Sequence, residues 1–103
     1  GVMEQKSDVL LYIGSMGEKG LLKAQALTLQ LRKEHIHAEC DTVERSVKAQ
    51  MKYANKIGAV YSVVIGETEL KENKAELKNM KEGSSETISL SELCSVIKQK
   101  IGY

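Results

Sequence analysis

A short apolar run near the start of the chain most strongly constrains the fold. Residues 8–13 form this run, which Gly14 and Ser15 close, and strands buried on both faces of a parallel sheet have such continuous apolar sequences. A helix is predicted next, because Ser15 and Glu18 have the spacing of a capping box and leucines then recur at helical spacing. Gly20 is a poor helix former within this segment. The segment is therefore predicted to be one β/α unit.

A second unit of the same kind follows. Ile36, Ala38 and Cys40 alternate with polar residues, which indicates a strand with one more polar face. The next helix is predicted to end at Gly58, where a left-handed backbone costs little, and its apolar stripe consists of Val47, Met51, Ala54 and Ile57. Residues 59–65 are apolar and β-branched enough for a third strand. Two successive β/α units predict right-handed crossovers and a largely parallel sheet.

The C-terminal part of the chain predicts two more strands and a helix. After a turn around Asn73, the fourth strand is expected over residues 75–80 and the fifth over residues 86–90. Ser91 is expected to cap the final helix, whose apolar residues are Leu93, Val96, Ile97 and Ile101. The order βαβαβββα predicts an α/β domain of three layers, with a mixed, mostly parallel five-stranded sheet and three helices.

Length and composition limit the class of protein. The 103 residues suffice for one domain, which we assign to residues 8–103, with residues 1–7 as an N-terminal extension that includes an expression scar at Gly1. The chain has 15 basic and 14 acidic residues and therefore a net charge of only +1, so any basic surface must be local. The sequence shows no signal peptide or membrane-spanning stretch, so a soluble protein is expected. Cys40 and Cys94 lack the spacing of a disulfide framework, which favours free thiols in a reduced, cytoplasmic protein.

No catalytic or metal site is predicted from the motifs. The sequence contains no nucleophile–base–oxyanion arrangement, no G-x-G-x-x-G motif and no P-loop spacing. His35 and His37 form an H-x-H pair without an evident third ligand. The absence of C-x-x-C also argues against a thioredoxin-like redox domain. We therefore expect no catalysis by this chain alone and no metal or cofactor bound to it.

The second helix carries a stripe of cations, here called the basic stripe, which consists of Arg45, Lys48, Lys52 and Lys56. These residues are three or four positions apart, so they lie on one side of the helix, opposite the apolar stripe. Such a stripe can attract phosphates and position a nucleic acid without reading its sequence. The alternative is a merely solvated helix face, and the spacing taken alone favours that alternative.

The segment from Arg45 to Met80 resembles the anticodon-binding domain of histidyl-tRNA synthetases, a class IIa family. The matching positions are Ser46, Lys48, Gln50, Lys52 and Ala54 on the helix, followed by Gly58-Ala59, Gly66-Glu67, Glu69-Leu70 and Leu77-Lys78-Asn79-Met80. Asp8 to Gly14 and Leu31-Arg32 also match, so the resemblance extends from Asp8 to Leu93. Asn55 and Glu44 depart from the family pattern, and Glu44 would repel a nearby phosphate.

This resemblance implies a domain that recognises histidine tRNA by its GUG anticodon. The catalytic domain would be absent from the chain, and ATP and magnesium would belong to that missing part. The implied partners are the anticodon loop of tRNA(His) and the catalytic domain of a parent enzyme that forms a homodimer, without DNA or a membrane. Whether the chain is an excised domain or a free-standing relative stays open.

The resemblance also implies the residues of an RNA site. In class IIa anticodon domains the glutamate at Glu69 faces anticodon bases, and one carboxylate can accept both donors of a guanine. Lys78 lies where relatives carry a cation near the anticodon, and Gln50 and Asn79 have groups that can bind bases. The alternatives are that Glu69 caps a turn, that Lys78 pairs with Glu69 or Glu76, and that Gln50 and Asn79 brace the backbone.

The predicted RNA-binding residues are accordingly Arg45, Lys48, Gln50, Lys52, Glu69, Lys78 and Asn79. The alternative function is a synthetase-like regulatory or protein-interaction domain that no longer discriminates anticodons. Loss of base discrimination in a binding assay would favour this alternative.

Overall fold

The computed structural model describes residues 9–41 and 46–100, which form one α/β domain. The strands are β1 (Leu11–Ser15), β2 (Ala38–Cys40), β3 (Tyr61–Ile65), β4 (Lys74–Asn79) and β5 (Ser85–Ser89). The helices are α1 (Gly17–Lys33), α2 (Val47–Lys56), α3 (Glu67–Glu72) and α4 (Leu93–Lys100), with a 3-10 turn at Leu90–Glu92 before α4.

The five strands form one mixed sheet in the order β2-β1-β3-β4-β5. β1 pairs in parallel with both β2 and β3, whereas β4 pairs antiparallel with β3 and with β5. Four of the five strands therefore run in one direction, with β4 reversed. The predicted α/β class and the mixed five-stranded sheet are confirmed.

The apolar core lies on both faces of this sheet. On one face α1 and α4 pack over a large cluster that includes Leu11, Ile13, Val63 and Leu77. On the other face α2 packs over a smaller cluster built from Val9, Tyr12, Ala54 and Ala59. The layers are thus two helices, the sheet and one helix, as the predicted three-layer arrangement requires.

One predicted feature was wrong: the described residues contain four α-helices rather than three. The additional helix, α3, begins directly after β3 and changes the order to βαβαβαββα. It has only six residues and no buried side chain. A segment without an apolar stripe gives no helical periodicity, which is why the sequence pattern did not reveal it.

Two predicted helix caps were also wrong. Ser15 is the last residue of β1 rather than a cap, and α1 begins after Met16 without a side-chain cap. Ser91 lies inside the 3-10 turn before α4. Ser15 lies one residue before the N-cap position, which Met16 occupies, and the Ser91 hydroxyl contacts that of Ser89.

The ends of α1 and α2 share one geometry. At the end of α2, Gly58 adopts a left-handed backbone with φ +74°, and the Ala59 amide donates to the Ala54 carbonyl. At the end of α1, His35 takes the corresponding position with φ +66°, and the Ile36 amide donates to the Leu31 carbonyl. These bonds define Schellman motifs and confirm the predicted stop at Gly58.

Several sequence-based expectations concern residues outside the described ranges. The N-terminal extension of residues 1–7, the start of the domain at Asp8, Arg45 of the basic stripe and Ile101 all fall there. Within the described ranges, Cys40 and Cys94 are free, partly buried thiols. None of the helices in those ranges has the length and apolar character needed to cross a membrane.

Candidate nucleic-acid interface

The sheet face that carries α2 is only partly covered in the described part of the chain. α2 packs on β1 and β3, while β4 and β5 lie beyond it. Ala75 and Leu77 of β4 belong to the core on the opposite face. Because strand side chains alternate, Glu76 and Lys78 project from the uncovered face, and both are exposed.

A cavity of about 610 Å³ lies on this uncovered face. Its apolar lining includes Met51 of α2 and Val64 of β3. Its polar lining includes Ser62 of β3, Glu69 and Glu72 of α3, Lys74, Glu76 and Lys78 of β4, and Thr87 of β5. A concave surface with an apolar part and several convergent polar groups is typical of a small-ligand or nucleotide site.

Glu69 lies at the third position of α3, where the chain turns away from the end of β3. Its Oε1 accepts a hydrogen bond from the Gly66 amide at 2.9 Å. This bond satisfies a donor that the start of a helix leaves unpaired, so Glu69 caps α3 while it also lines the cavity. An ionised carboxylate has about four acceptor sites, so the cap leaves acceptor capacity at the cavity.

Lys78 lies opposite Ser62 of β3 and Ser85 of β5 in the sheet register. These three residues and Glu69 all line the cavity, so the structure brings Glu69 and Lys78 together at one site. The described residues include no ion pair between Lys78 and Glu69 or Glu76. The lysine is therefore an exposed cation at the edge of a cavity that also presents carboxylates.

The basic stripe lies on the exposed side of α2, as predicted. Lys48, Lys52 and Lys56 are all exposed, while Arg45 lies outside the described residues. The helix begins at Ser46, whose hydroxyl accepts a hydrogen bond from the Ala49 amide at 3.1 Å. These lysines do not line the cavity, but Lys48 is one helical turn from Met51, which does.

Gln50 is buried, in contrast to the lysines beside it. Only 1% of its surface is exposed. Its amide oxygen accepts a hydrogen bond from the Ser15 amide at 2.8 Å, and its amide nitrogen donates to the Ser15 carbonyl at 2.7 Å. The side chain thus bridges α2 to the end of β1. This geometry supports the interpretation that Gln50 braces the backbone.

Asn79 has a similar bracing role in the turn between β4 and β5. Its Oδ1 accepts hydrogen bonds from the main-chain amides of Lys81 and Glu82, both at 3.0 Å. The same turn is closed by the Gly83 amide, which donates to the Asn79 carbonyl at 2.8 Å. The Asn79 side chain therefore fixes the turn rather than lining the cavity.

Ion pairs hold α4 on the other face of the sheet, away from the cavity. Lys98 donates a short hydrogen bond to Glu34, which lowers the pKa of that carboxyl group. Lys100 pairs with Glu86 of β5, and this hydrogen bond raises the pKa of the lysine. Among the described residues, no group of three or more His, Cys, Asp or Glu side chains has a metal-binding arrangement.

The fold is that of a domain found in aminoacyl-tRNA synthetases. The family model described as "Anticodon binding domain" matches residues 9–100, and the chain belongs to this family. Its sequence is similar to part of histidine–tRNA ligases. It is 50% identical over 90 residues to that of Clostridium perfringens SM101, which covers 85% of this chain and 22% of that protein. It is 52% identical over 83 residues to the ligase of Clostridium novyi NT, and this match covers 81% of this chain and 20% of that protein.

Solved structures agree with this assignment. The apo histidyl-tRNA synthetase of S. aureus matches with a TM-score of 0.88 and 38% identity, over 94% of this chain and 28% of that one. The RNA-binding domain of threonyl-tRNA synthetase from Cryptosporidium parvum matches with a TM-score of 0.79 and 19% identity, over 90% and 24% of the two chains, which shows the fold alone. The chain thus spans about a fifth of the ligases from C. perfringens and C. novyi.

Proposed function

We propose that this domain binds the anticodon loop of histidine tRNA as part of a histidine–tRNA ligase. The observation that carries the proposal is that Glu69 and Lys78 line one cavity beside a helix with exposed lysines. The proposal is also supported by the 50% sequence identity over 90 residues to the histidine–tRNA ligase of C. perfringens. Aminoacylation, with its ATP and magnesium, would occur in a catalytic domain outside this chain. The parent enzyme would be a cytoplasmic homodimer.

In this proposal the cavity receives an unstacked base of the GUG anticodon. Single-stranded loops expose the Watson–Crick edges of their bases, and guanine presents imino and amino donors side by side. The Glu69 carboxylate would accept from these donors while the Gly66 amide holds its orientation. Lys78 would neutralise a phosphate or bind guanine O6.

The lysines of the basic stripe would contact phosphates, which positions the RNA without reading it. Arg45 is part of the same proposal from its sequence position. Gln50 and Asn79 would act through the backbone that they brace, since both groups of the Gln50 amide and the oxygen of the Asn79 amide are already bound to main-chain atoms.

The decisive experiment compares Glu69→Gln with Glu69→Ala. Glutamine also serves at the third position of a capping box, so Glu69→Gln should keep α3 and the thermal stability of the domain. If the glutamine oxygen accepts from Gly66, its NH2 group faces the cavity and opposes the donors of guanine. We expect binding of the tRNA(His) anticodon stem-loop to weaken by about 1–3 kcal/mol, the value of a bidentate base contact.

Glu69→Ala removes both the cap and the acceptor, so it should lose stability as well as affinity. Replacement of the recognised guanine by inosine, which lacks the exocyclic amino group, should reduce the effect of Glu69→Gln. Equal cognate binding by wild type and Glu69→Gln at equal stability would reject the assigned role. A wild-type domain that does not prefer this stem-loop over one with an unrelated anticodon would instead favour a regulatory domain that has lost anticodon discrimination.

A further inference from the structure

α2 has an unusual anchor on the sheet. Of its ten residues only two, Gln50 and Ala54, are buried. Ala54 joins the small apolar cluster under the second half of the helix. The first half, which begins at Val47 and carries Lys48, has Gln50 as its one fully buried side chain. Docking of that half therefore combines this buried polar side chain with Met51, which is partly buried against the same apolar cluster.

The contact pairs both polar groups of the Gln50 amide with both main-chain groups of Ser15. The Gln50 amide donates to the Ser15 carbonyl at 2.7 Å and accepts from the Ser15 amide at 2.8 Å. Ser15 is itself buried at the carboxyl end of β1. A side chain that only accepts, or only donates, would leave one buried main-chain group of Ser15 unpaired, which is costly. Glutamine satisfies both groups with one planar amide.

The main chain of β1 lies close to this contact at Gly14. A Cβ added at Gly14 would lie 3.1 Å from Gln50 Oε1 and 3.3 Å from the terminal methyl group of Met51. The absence of a side chain at Gly14 thus allows α2 to come close enough for the Gln50 amide to reach β1. The same approach seats Met51 at the cavity.

We propose that Gln50 is the positioning residue that sets the basic stripe against the RNA site. Residues two positions before and after a buried helical residue face outward, so the Gln50 anchor directs Lys48 and Lys52 to solvent. It also fixes Met51, the residue by which α2 contributes to the cavity. Gln50 thereby couples the phosphate-binding helix to the base-binding sheet face without contacting RNA itself. This inference rests on the proposed function.

The test uses Gln50→Met, which keeps the length of the side chain and removes both hydrogen bonds. Hydrogen exchange should accelerate at the Ser15 amide and in the first half of α2 more than in α4. Binding of the tRNA(His) anticodon stem-loop should weaken, and the dependence of log K on log salt should flatten by about 0.7 for each phosphate of the single-stranded loop that the helix no longer neutralises. Two such phosphates correspond to roughly tenfold weaker binding near physiological salt.

Two further variants make the result interpretable. Ile97→Val truncates a core residue of α4 on the opposite face, so it should lower stability without changing the salt slope. Gly14→Ala presses on the Gln50 and Met51 side-chain ends, which can yield, so it should fold and show a smaller effect in the same direction as Gln50→Met. It serves as the test if Gln50→Met does not fold.

The outcomes separate this inference from the function on which it rests. Wild-type affinity and salt slope in folded Gln50→Met, or an equal loss of binding in Ile97→Val at matched stability, would overturn the positioning role alone. Failure of the wild-type domain to prefer the histidine stem-loop would overturn the proposed function and the positioning role with it.

Discussion

The close approach of α1 to the end of β3 predicts that Gly20→Ala destabilises the domain, although alanine is the better helix former. A Cβ added at Gly20 would lie 2.4 Å from the main-chain oxygen of Ile65. This is closer than carbon and oxygen atoms approach without a bond, so the helix or the strand end must move. The Ile65 oxygen is held in place because it accepts a hydrogen bond from the Met16 amide at 2.9 Å.

Opposing effects determine the size of the change. Alanine is favoured over glycine by about 1 kcal/mol inside a helix. Overpacking against a fixed backbone costs about 1–3 kcal/mol, and loss of the bond between Met16 and Ile65 adds about 1 kcal/mol. We therefore expect a net loss of about 2 kcal/mol, which lowers the melting temperature of a domain of this size by roughly 10 °C.

Thermal and urea unfolding followed by circular dichroism measure this change. Ala26→Gly, on the exposed side of the same helix, is the control for helix propensity and should lose about 1 kcal/mol. The reasoning predicts that both substitutions destabilise, although they exchange the same two residue types in opposite directions. A Gly20→Ala variant more stable than wild type would show that helix propensity dominates and would refute the steric argument.

Two further predictions concern charged residues. Lys52→Ala should weaken binding of cognate and non-cognate stem-loops about equally, because a phosphate contact carries no sequence information, and it should flatten the salt slope by about 0.7. Impaired discrimination at an unchanged slope would contradict this role. Lys98→Met should reduce the loss of stability in acid. Lys98 lowers the pKa of Glu34, so their interaction stabilises the fold above the ordinary carboxyl pKa and is lost as the pH falls through the lowered value. Stability curves measured in acid that are parallel for wild type and variant would exclude this contribution.

The parts of the fold that the sequence predicted are those in which an apolar pattern dominates. All five residues of β1 are buried, Met51, Ala54 and Ile57 of the predicted stripe pack in the small apolar cluster, and α2 stops before Gly58 as predicted. Such segments have one way to bury their apolar residues, so local pattern and tertiary structure agree. The parallel arrangement of β1, β2 and β3 then follows from the two β/α units.

α3 could not be predicted in this way because it has a single apolar residue, Leu70, which is only partly buried against the core. Its residues are mostly charged, and Gly66 at its start has no side chain that could signal a cap. The available signal was Glu69 itself, since a glutamate three residues after the start of a helix is one half of a capping box. That signal has little value alone, because glutamates are frequent in any exposed segment.

Ser15 and Gln50 show how tertiary contacts override local patterns. Ser15 has the capping-box spacing with Glu18, yet its main chain belongs to β1 and binds Gln50. Gln50 was predicted to bind RNA from its match to the family and its amide group, with bracing of the backbone as the alternative. Its position gave the contrary signal, since it lies three residues after Val47 and four before Ala54, on the inward side of α2. For a polar residue on an apolar stripe, position is the better guide to burial.

If Glu69 binds a base as we propose, its bond to Gly66 has a consequence for recognition. A glutamate on a flexible loop would lose side-chain freedom on binding a base, and that entropy would oppose affinity. Here the Gly66 amide already holds one carboxylate oxygen, and α3 fixes the backbone that carries it. The acceptors would thus be oriented before RNA binds, as a discriminating site requires. A wrong base would meet a carboxylate that cannot turn away without uncapping α3, so the cap that stabilises the helix would also increase the free-energy cost of binding that base.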